Sequence, residues 1–105
     1  MDDREIMQLI ARSDERGMPE LQKHYGPLLR HVAAPILRDD AAVSDCVSDV
    51  YLRVLEKAGQ FDPERGSLSA WLTAITRNTA LNIARRGKSE VGHELREDTP
   101  DPAPT

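Results

Sequence analysis

The chain has 105 residues, 39% of them hydrophobic and 30% charged, which is enough for one small domain, and no apolar run approaches the ~20 residues of a membrane-spanning helix. The net charge of −4 belongs to residues 90–105, because residues 1–89 carry 13 basic and 13 acidic side chains. A single cysteine and three scattered histidines exclude an internal disulfide and a clustered metal site, so we predict a cytoplasmic protein without metal or cofactor.

Two helices are predicted in the first third of the chain. The first covers about residues 3–15, with its apolar side chains on one side, and Gly17 is predicted to end it. The second begins near Met18. Pro27 and Pro35 lie inside it, and because proline lacks an amide hydrogen and crowds the preceding turn, we expect them to break or kink this helix.

A third helix is predicted between Asp40, as its cap, and Gly59, as its end. Apolar residues recur along it at helical spacing and form a continuous stripe: Val43, Cys46, Val47, Val50, Tyr51, Val54 and Ala58. Cys46 is therefore expected to be buried and chemically inert.

Removing this stripe leaves a second face on the third helix, made of Asp45, Ser48, Asp49, Leu52, Arg53 and Glu56. One interpretation is an ordinary solvated face that carries an Asp49–Arg53 pair. The other interpretation is a docking face for a partner helix. It is suggested by Leu52, an apolar residue that the spacing places among charged ones on the exposed side. The residues alone leave both interpretations open.

The segment FDPERGSLSAWLTAITRNTALNIARR predicts a polar loop followed by a fourth helix over about residues 68–86. The loop has a turn at Asp62-Pro63, and Ser67 is a suitable N-terminal cap. Its buried stripe is predicted to contain Leu68, Trp71, Leu72, Ile75, Thr79 and Ile83. Phe61 is expected either to anchor the loop in the core or to line a pocket for an unstacked base.

The opposite face of the fourth helix holds Ala70, Ala74, Arg77, Leu81 and Arg85, with Asn78 on its flank. The charges from Trp71 onward are all basic as far as Lys88. This pattern is typical of a nucleic-acid surface, in which arginines hold phosphates and an amide reads a base edge. The residues alone are equally consistent with a local polar contact for Asn78. The last cations also offset the helix dipole, and both interpretations can hold together.

After Gly87 the sequence becomes acidic and proline-rich, a composition that buries too little surface to fold. We therefore predict an all-α protein: a compact bundle of about four helices over residues 1–88 and a flexible, disordered linker or tail over residues 89–105.

The stretch from Phe61 to Arg86 resembles region 2 of bacterial sigma factors of the extracytoplasmic-function (ECF) type. That family carries F-D-P-x-R-G-S-x-x-A-W-L, then an R-N pair and a terminal arginine cluster, and all three elements stand here between Phe61 and Arg86. The resemblance implies that the loop and fourth helix take up bases of the −10 promoter element from the non-template strand. The candidate DNA-binding residues are Phe61, Arg65, Ser67, Arg77, Asn78, Arg85, Arg86 and Lys88.

The resemblance also implies that the third helix docks on the β′ clamp helices of core RNA polymerase, through Asp45, Ser48, Asp49, Leu52, Arg53 and Glu56. The family commonly has D-x-x-Q-E-x-F in this helix. Here Ser48 replaces the glutamine, Asp49 the glutamate and Tyr51 the phenylalanine. The carboxylates are kept, but the long amide is lost.

Promoter recognition without any enzymatic activity is the leading hypothesis. The alternative is a sigma-like interaction module without promoter activity, which would titrate an anti-sigma factor or polymerase. A conventional helix-turn-helix repressor is a weaker third hypothesis, because no paired scaffold helix precedes the basic helix. The tail resembles the start of an interdomain linker, so both a fragment of a two-domain factor and a natural one-domain protein stay open.

Overall fold

A computed structural model describes the backbone of residues 1–93 and the side chains of residues 1–87. Within this part the chain forms four α-helices and no strand: α1 (Asp3–Ala11), α2 (Gly17–Leu37), α3 (Asp40–Lys57) and α4 (Leu68–His93). A short 3-10 turn, Ala58–Gln60, follows α3. The predicted all-α class is confirmed.

Side-chain caps begin three of the helices. Asp2 and Glu5 form a reciprocal capping box at α1. The Oδ2 atom of Asp39 accepts a hydrogen bond from the amide of Ala42 at 3.0 Å, so the cap of α3 is Asp39 and not the predicted Asp40. At α4, the Ser67 Oγ accepts from the amide of Ala70 at 3.1 Å, which confirms the predicted cap.

Gly17 does not end α1 as predicted. That helix ends at Ala11, and Gly17 is the buried first residue of α2. A Cβ atom on Gly17 would lie 2.8 Å from Cγ1 and 3.0 Å from the backbone nitrogen of Ile10. The position needs a glycine because α1 packs this closely against the start of α2.

The predicted break in α2 does not occur, since the helix continues through both Pro27 and Pro35. Each proline removes the hydrogen bond to the carbonyl four residues earlier, which is that of Lys23 or His31. All four residues are exposed. Water can therefore bind the freed carbonyls, while packing on the opposite face holds the helix in place.

The core lies where α2, α3 and α4 each pack against the other two, with α1 packed on α2 and on the 3-10 turn. The predicted stripe of α3 is confirmed, since its residues are buried or half-buried. Thr76 and Thr79 of α4 are also buried, and their hydroxyls donate to the carbonyls of Leu72 and Ile75 at 2.7 and 2.8 Å. These bonds satisfy the buried hydroxyls.

One side-chain hydrogen bond ties α1 to α2 at their edge. The Tyr25 hydroxyl donates to Oδ2 of Asp3 at 2.7 Å. Burial and this bond raise the pKa of Tyr25 to about 12, so the phenol keeps its proton across the physiological range.

The fourth helix is longer than predicted, because it continues from the expected end near residue 86 to His93. Gly87 does not terminate it, since its φ is not positive. The predicted tail begins at residue 89, and residues 94–105 lie outside the described part of the chain. The boundary between domain and tail therefore stays a prediction.

The two glycines give a matched test of these assignments. We expect Gly17→Ala to lower the free energy of unfolding by about 1–3 kcal/mol, because the new methyl group overlaps Ile10. A Cβ at Gly87 meets nothing within 4 Å. We expect Gly87→Ala to raise the free energy of unfolding by up to about 0.5–1 kcal/mol, since alanine favours the helix interior. Urea unfolding of both variants measures the effects, and equal destabilisation would contradict the placement of both glycines.

Candidate nucleic-acid and protein interfaces

Residues 61–67 form a loop whose shape is fixed by its own hydrogen bonds. The amide of Glu64 donates to Oδ1 of Asp62 at 2.9 Å, and the amide of Arg65 donates to the carbonyl of Asp62 at 3.0 Å. The predicted turn at Asp62-Pro63 is thus present, and it leads into the cap at Ser67. The loop enters α4 in a defined direction.

Phe61 and Trp71 join this loop to the first turns of α4. Their ring centroids lie 5.3 Å apart and the rings are tilted by 56°, a favourable aromatic geometry. Both are half-buried and pack against the core. Phe61 therefore anchors the loop on the core, while its predicted contact with an unstacked base stays a prediction.

The other side of this aromatic pair lines an open cleft of about 370 Å³ between the loop and α4. The cleft is lined by Gln60, Phe61, Asp62, Arg65, Gly66, Ser67, Ala70 and Trp71. Three of the predicted DNA-binding residues, Phe61, Arg65 and Ser67, thus come together here. Sequence periodicity placed Trp71 in the buried stripe and gave it only a structural role, whereas the fold leaves part of it facing the cleft.

The remaining candidates on α4 do not line the cleft. Arg77, Asn78, Arg85 and Arg86 are exposed along the helix, and the side chain of Lys88 is outside the described ones. Asn78 and Arg85 follow Trp71 by 7 and 14 residues. They therefore lie only about 20° and 40° around α4 from Trp71, at the edge where the buried stripe meets the exposed face, and about 10 and 21 Å further along the axis.

Asn82 is a polar residue of this face that the sequence reasoning missed. Its Oδ1 atom accepts a hydrogen bond from Nη2 of Arg85 at 2.6 Å. The bond orients the guanidinium group and leaves its other donors available. The i, i+3 spacing of the two residues was the available signal.

On α3 the fold exposes most of the predicted second face. Asp45, Ser48, Leu52 and Glu56 are exposed, and Asp49 and Arg53 are half-buried. Among the described side chains, Arg16 forms a salt bridge with Asp14, and Nε2 of His24 lies 3.3 Å from Oε1 of Glu20. The Asp49–Arg53 pair of the solvated-face interpretation is absent. The buried Nε of Arg53 has no hydrogen-bond partner.

Two large apolar side chains stand out on the same helix. Leu52 is 58% exposed, as its position among charged residues predicted, and Leu55 is 51% exposed. The sequence reasoning missed Leu55, which falls between the apolar stripe and the charged face. The two leucines make this part of α3 more apolar than the rest of its exposed face.

Cys46 is fully buried, and its Sγ lies 3.9 Å from the carbonyl of Thr76. Burial, and secondarily the charge of Asp49, raise the pKa of Cys46 to about 11, which makes the thiol unreactive as predicted. Among the described residues no cluster of metal-ligating side chains occurs. None of the described helices combines the length and apolar character needed to cross a membrane.

Comparison with known proteins matches residues 21–90 to the family described as Sigma-70 region 2. The ECF RNA polymerase sigma factor RpoE of Cereibacter sphaeroides is 28% identical over 82 residues, covering 78% of this chain and 45% of that protein. The ECF RNA polymerase sigma factor SigK of a Mycobacterium species (strain KMS) is 33% identical over 91 residues, covering 87% of this chain and 47% of that protein.

The ECF RNA polymerase sigma factor SigK of Mycobacterium tuberculosis (strain H37Ra) is 24% identical over 91 residues, covering 87% of this chain and 49% of that protein. The chain thus spans about half the length of these curated relatives. No solved structure matches it. The family match runs from the first turns of α2 into the last turns of α4, across the loop and both candidate faces, and the chain therefore belongs to the sigma-70 region 2 family, in its ECF group.

Proposed function

We propose that this chain recognises the −10 element of a promoter while it is docked on RNA polymerase. The cleft between the loop and α4 would take up bases of the non-template strand, and the exposed face of α3 would contact the β′ clamp helices. The observation that carries the proposal is the cleft itself, because it combines two aromatic rings with a basic side chain. Such a role would place the protein with polymerase in the cytoplasm.

The chemistry of the cleft suits an unstacked base. Its volume of about 370 Å³ is within the usual range for small-ligand sites. Phe61 and Trp71 offer apolar ring surface, and stacking on aromatic rings contributes about 1–3 kcal/mol per base. Arg65 and Ser67 add a phosphate contact and a hydrogen-bonding group at the rim.

Beyond the cleft, α4 would guide the strand toward its C-terminal end. Asn78 can donate to and accept from a base edge, and Arg85 can hold a phosphate. Both lie on the side of the helix that carries Trp71, in steps of two turns. A single strand lying along this side would meet the cleft first, then the amide, then the cations.

On α3, the exposed leucines and the carboxylates of Asp45 and Glu56 support docking on a partner helix with basic groups. Leu52 and Leu55 would provide apolar contact, and the acids would set orientation. The loss of the usual glutamine at Ser48 removes one contact and does not move the surface.

As a member of a family of initiation factors, the chain is not an enzyme. Strand opening needs only that the protein bind the open strand more tightly than the duplex. Ser48, in place of the glutamine that is usual in the family, supports one alternative function. In that alternative the chain is a sigma-like module that titrates an anti-sigma factor or polymerase. Promoter-dependent transcription in vitro with core polymerase would support the first function, and binding without transcription would support the second.

Charge reversal on α3 tests the docking face. We expect Asp45→Lys combined with Asp49→Lys to weaken binding to core polymerase at least about tenfold, or about 1.4 kcal/mol, because two carboxylates become repulsive. The measurement is titration of labelled protein with core polymerase, with thermal unfolding to check the fold.

The matched control is Glu15→Lys combined with Glu64→Lys, which changes the net charge equally at exposed positions away from α3. The control should bind like the unchanged chain. Equal losses in both double variants would remove α3 as the docking face.

The neighbours Arg77 and Asn78 are expected to have different roles, because their side chains point about 100° apart around α4. Arg77 would contact a phosphate, and Asn78 would recognise a base. We expect Asn78→Ala to cost about 1–3 kcal/mol against the preferred base and little against the others. Arg77→Ala should weaken all sequences equally and reduce the single-strand salt slope by about 0.7. Binding of each variant to single-base changes across a −10-like single strand measures both effects.

A uniform loss of affinity in Asn78→Ala would assign the base-reading role to the loop instead. A base-dependent loss in Arg77→Ala would likewise contradict the proposed division of labour. Thermal unfolding serves as the control, since both residues are exposed and neither substitution should change the unfolding temperature appreciably.

A further inference from the structure

The outward face of α2 carries a line of cations that neither proposed interface uses. Lys23, Pro27, Arg30, Ala34 and Arg38 follow one another at intervals of three or four residues, and all five are exposed. Such spacing places them on one side of the helix. The three cations are seven and eight residues apart, so the line is about 22 Å long.

Among the described side chains, no carboxylate lies within salt-bridge distance of these cations. Between residues 21 and 38 the sequence contains no aspartate or glutamate. Glu20, just before this stretch, has its Oε1 atom 3.3 Å from Nε2 of His24 and forms no salt bridge with Lys23. Arg30 donates from Nη2 to the Ser44 hydroxyl of α3 at 3.3 Å, a neutral partner. The three cations thus lack a carboxylate partner, although Asp39 and Asp40 directly follow Arg38 in the sequence.

Local structure accounts for only part of the line, because Arg30 bonds to Ser44 of α3 and Arg38 lies at the end of α2. Arg38 follows the last residue of α2 with φ of 65°, a left-handed conformation in which glycine would be less strained. A cation there does suit the helix dipole, but that effect is confined to the last turn. Lys23 and Arg30 lie too far from the helix end to benefit.

The face also lacks the features of a protein-binding surface. Its only apolar residues are Pro27 and Ala34, and the exposed large hydrophobic side chains of the described chain lie elsewhere, at Met1, Leu52, Leu55 and Leu81. The binding energy of protein interfaces is concentrated in a few buried anchors, most often Trp, Tyr and Arg, and this face offers no aromatic anchor. A regular line of cations without such anchors instead suits a polyanion that is held through its phosphates.

We propose that the outward face of α2 binds the phosphate backbone of double-stranded DNA without reading its sequence. Only the source of the DNA rests on the proposed function, because a promoter opened at its −10 element stays double-stranded on either side. α2 packs directly against α4. One domain would then hold duplex on α2 while α4 and the loop hold the opened strand.

The test uses the whole chain and a fluorescent duplex of random sequence, with affinity measured over a series of salt concentrations. The variant combines Lys23→Gln, Arg30→Gln and Arg38→Gln. If all three cations meet phosphates, the log–log salt slope should become shallower by about 2.7, at about 0.9 per contact. The matched control combines Arg4→Gln, Arg12→Gln and Lys57→Gln, three exposed cations outside α2. Both triple variants change the net charge from −4 to −7, and the control should keep the slope of the unchanged chain.

Arg38→Gly provides a second variant that should not unfold the domain, because glycine relieves the left-handed position. It should make the slope shallower by about 0.9 and leave the unfolding temperature equal or higher. An equal effect of the two triple variants, or no duplex binding by the unchanged chain at low salt, would overturn the proposal.

Binding of the same proteins to −10-like single strands separates this proposal from the proposed function. If the salt slope of duplex binding depends on the α2 cations but single strands bind without base preference, the α2 site is upheld and −10 recognition is contradicted. If single strands bind with base preference but the salt slope of duplex binding does not depend on the α2 cations, only the α2 site is contradicted.

Discussion

The contact between Phe61 and Trp71 is the interaction on which the candidate nucleic-acid site depends. It holds the start of the 61–67 loop against α4, while the turn at Asp62 and the cap at Ser67 fix the rest of the loop. Because both rings also pack on the core, their orientation is set by the same packing that stabilises the bundle. The packing of the bundle therefore fixes the shape of the cleft, and under the proposed function this would lower the entropic cost of binding a base.

Mutual packing of three helices gives the domain three outward faces with different chemistry. On α3 the face combines exposed leucines with carboxylates, and on α4 it combines small residues with arginines and asparagines. The face of α2 is basic and almost without apolar surface. A net charge near zero over residues 1–89 conceals this separation, and local charge governs which partner each face can accept.

The sequence predicted the features that depend on helical periodicity. The stripe of α3, the exposed face of α4 and the cap at Ser67 all follow from spacing and local hydrogen bonding. It failed where tertiary packing decides: α2 continues through two prolines, and Gly17 serves a close helix contact instead of a helix end. The shared role of Trp71 in core and cleft likewise could not be predicted, since it depends on where the loop folds back.

Trp71 is the only tryptophan of the chain, so its fluorescence reports directly on the cleft. The measurement is titration of the whole chain with a −10-like single strand, following Trp71 emission and the anisotropy of the labelled strand together. Base stacking in the cleft predicts saturable quenching of Trp71 with the same midpoint as binding, and much weaker quenching by the corresponding duplex. Binding seen by anisotropy with unchanged Trp71 emission would contradict the account, because the strand would then lie outside the cleft.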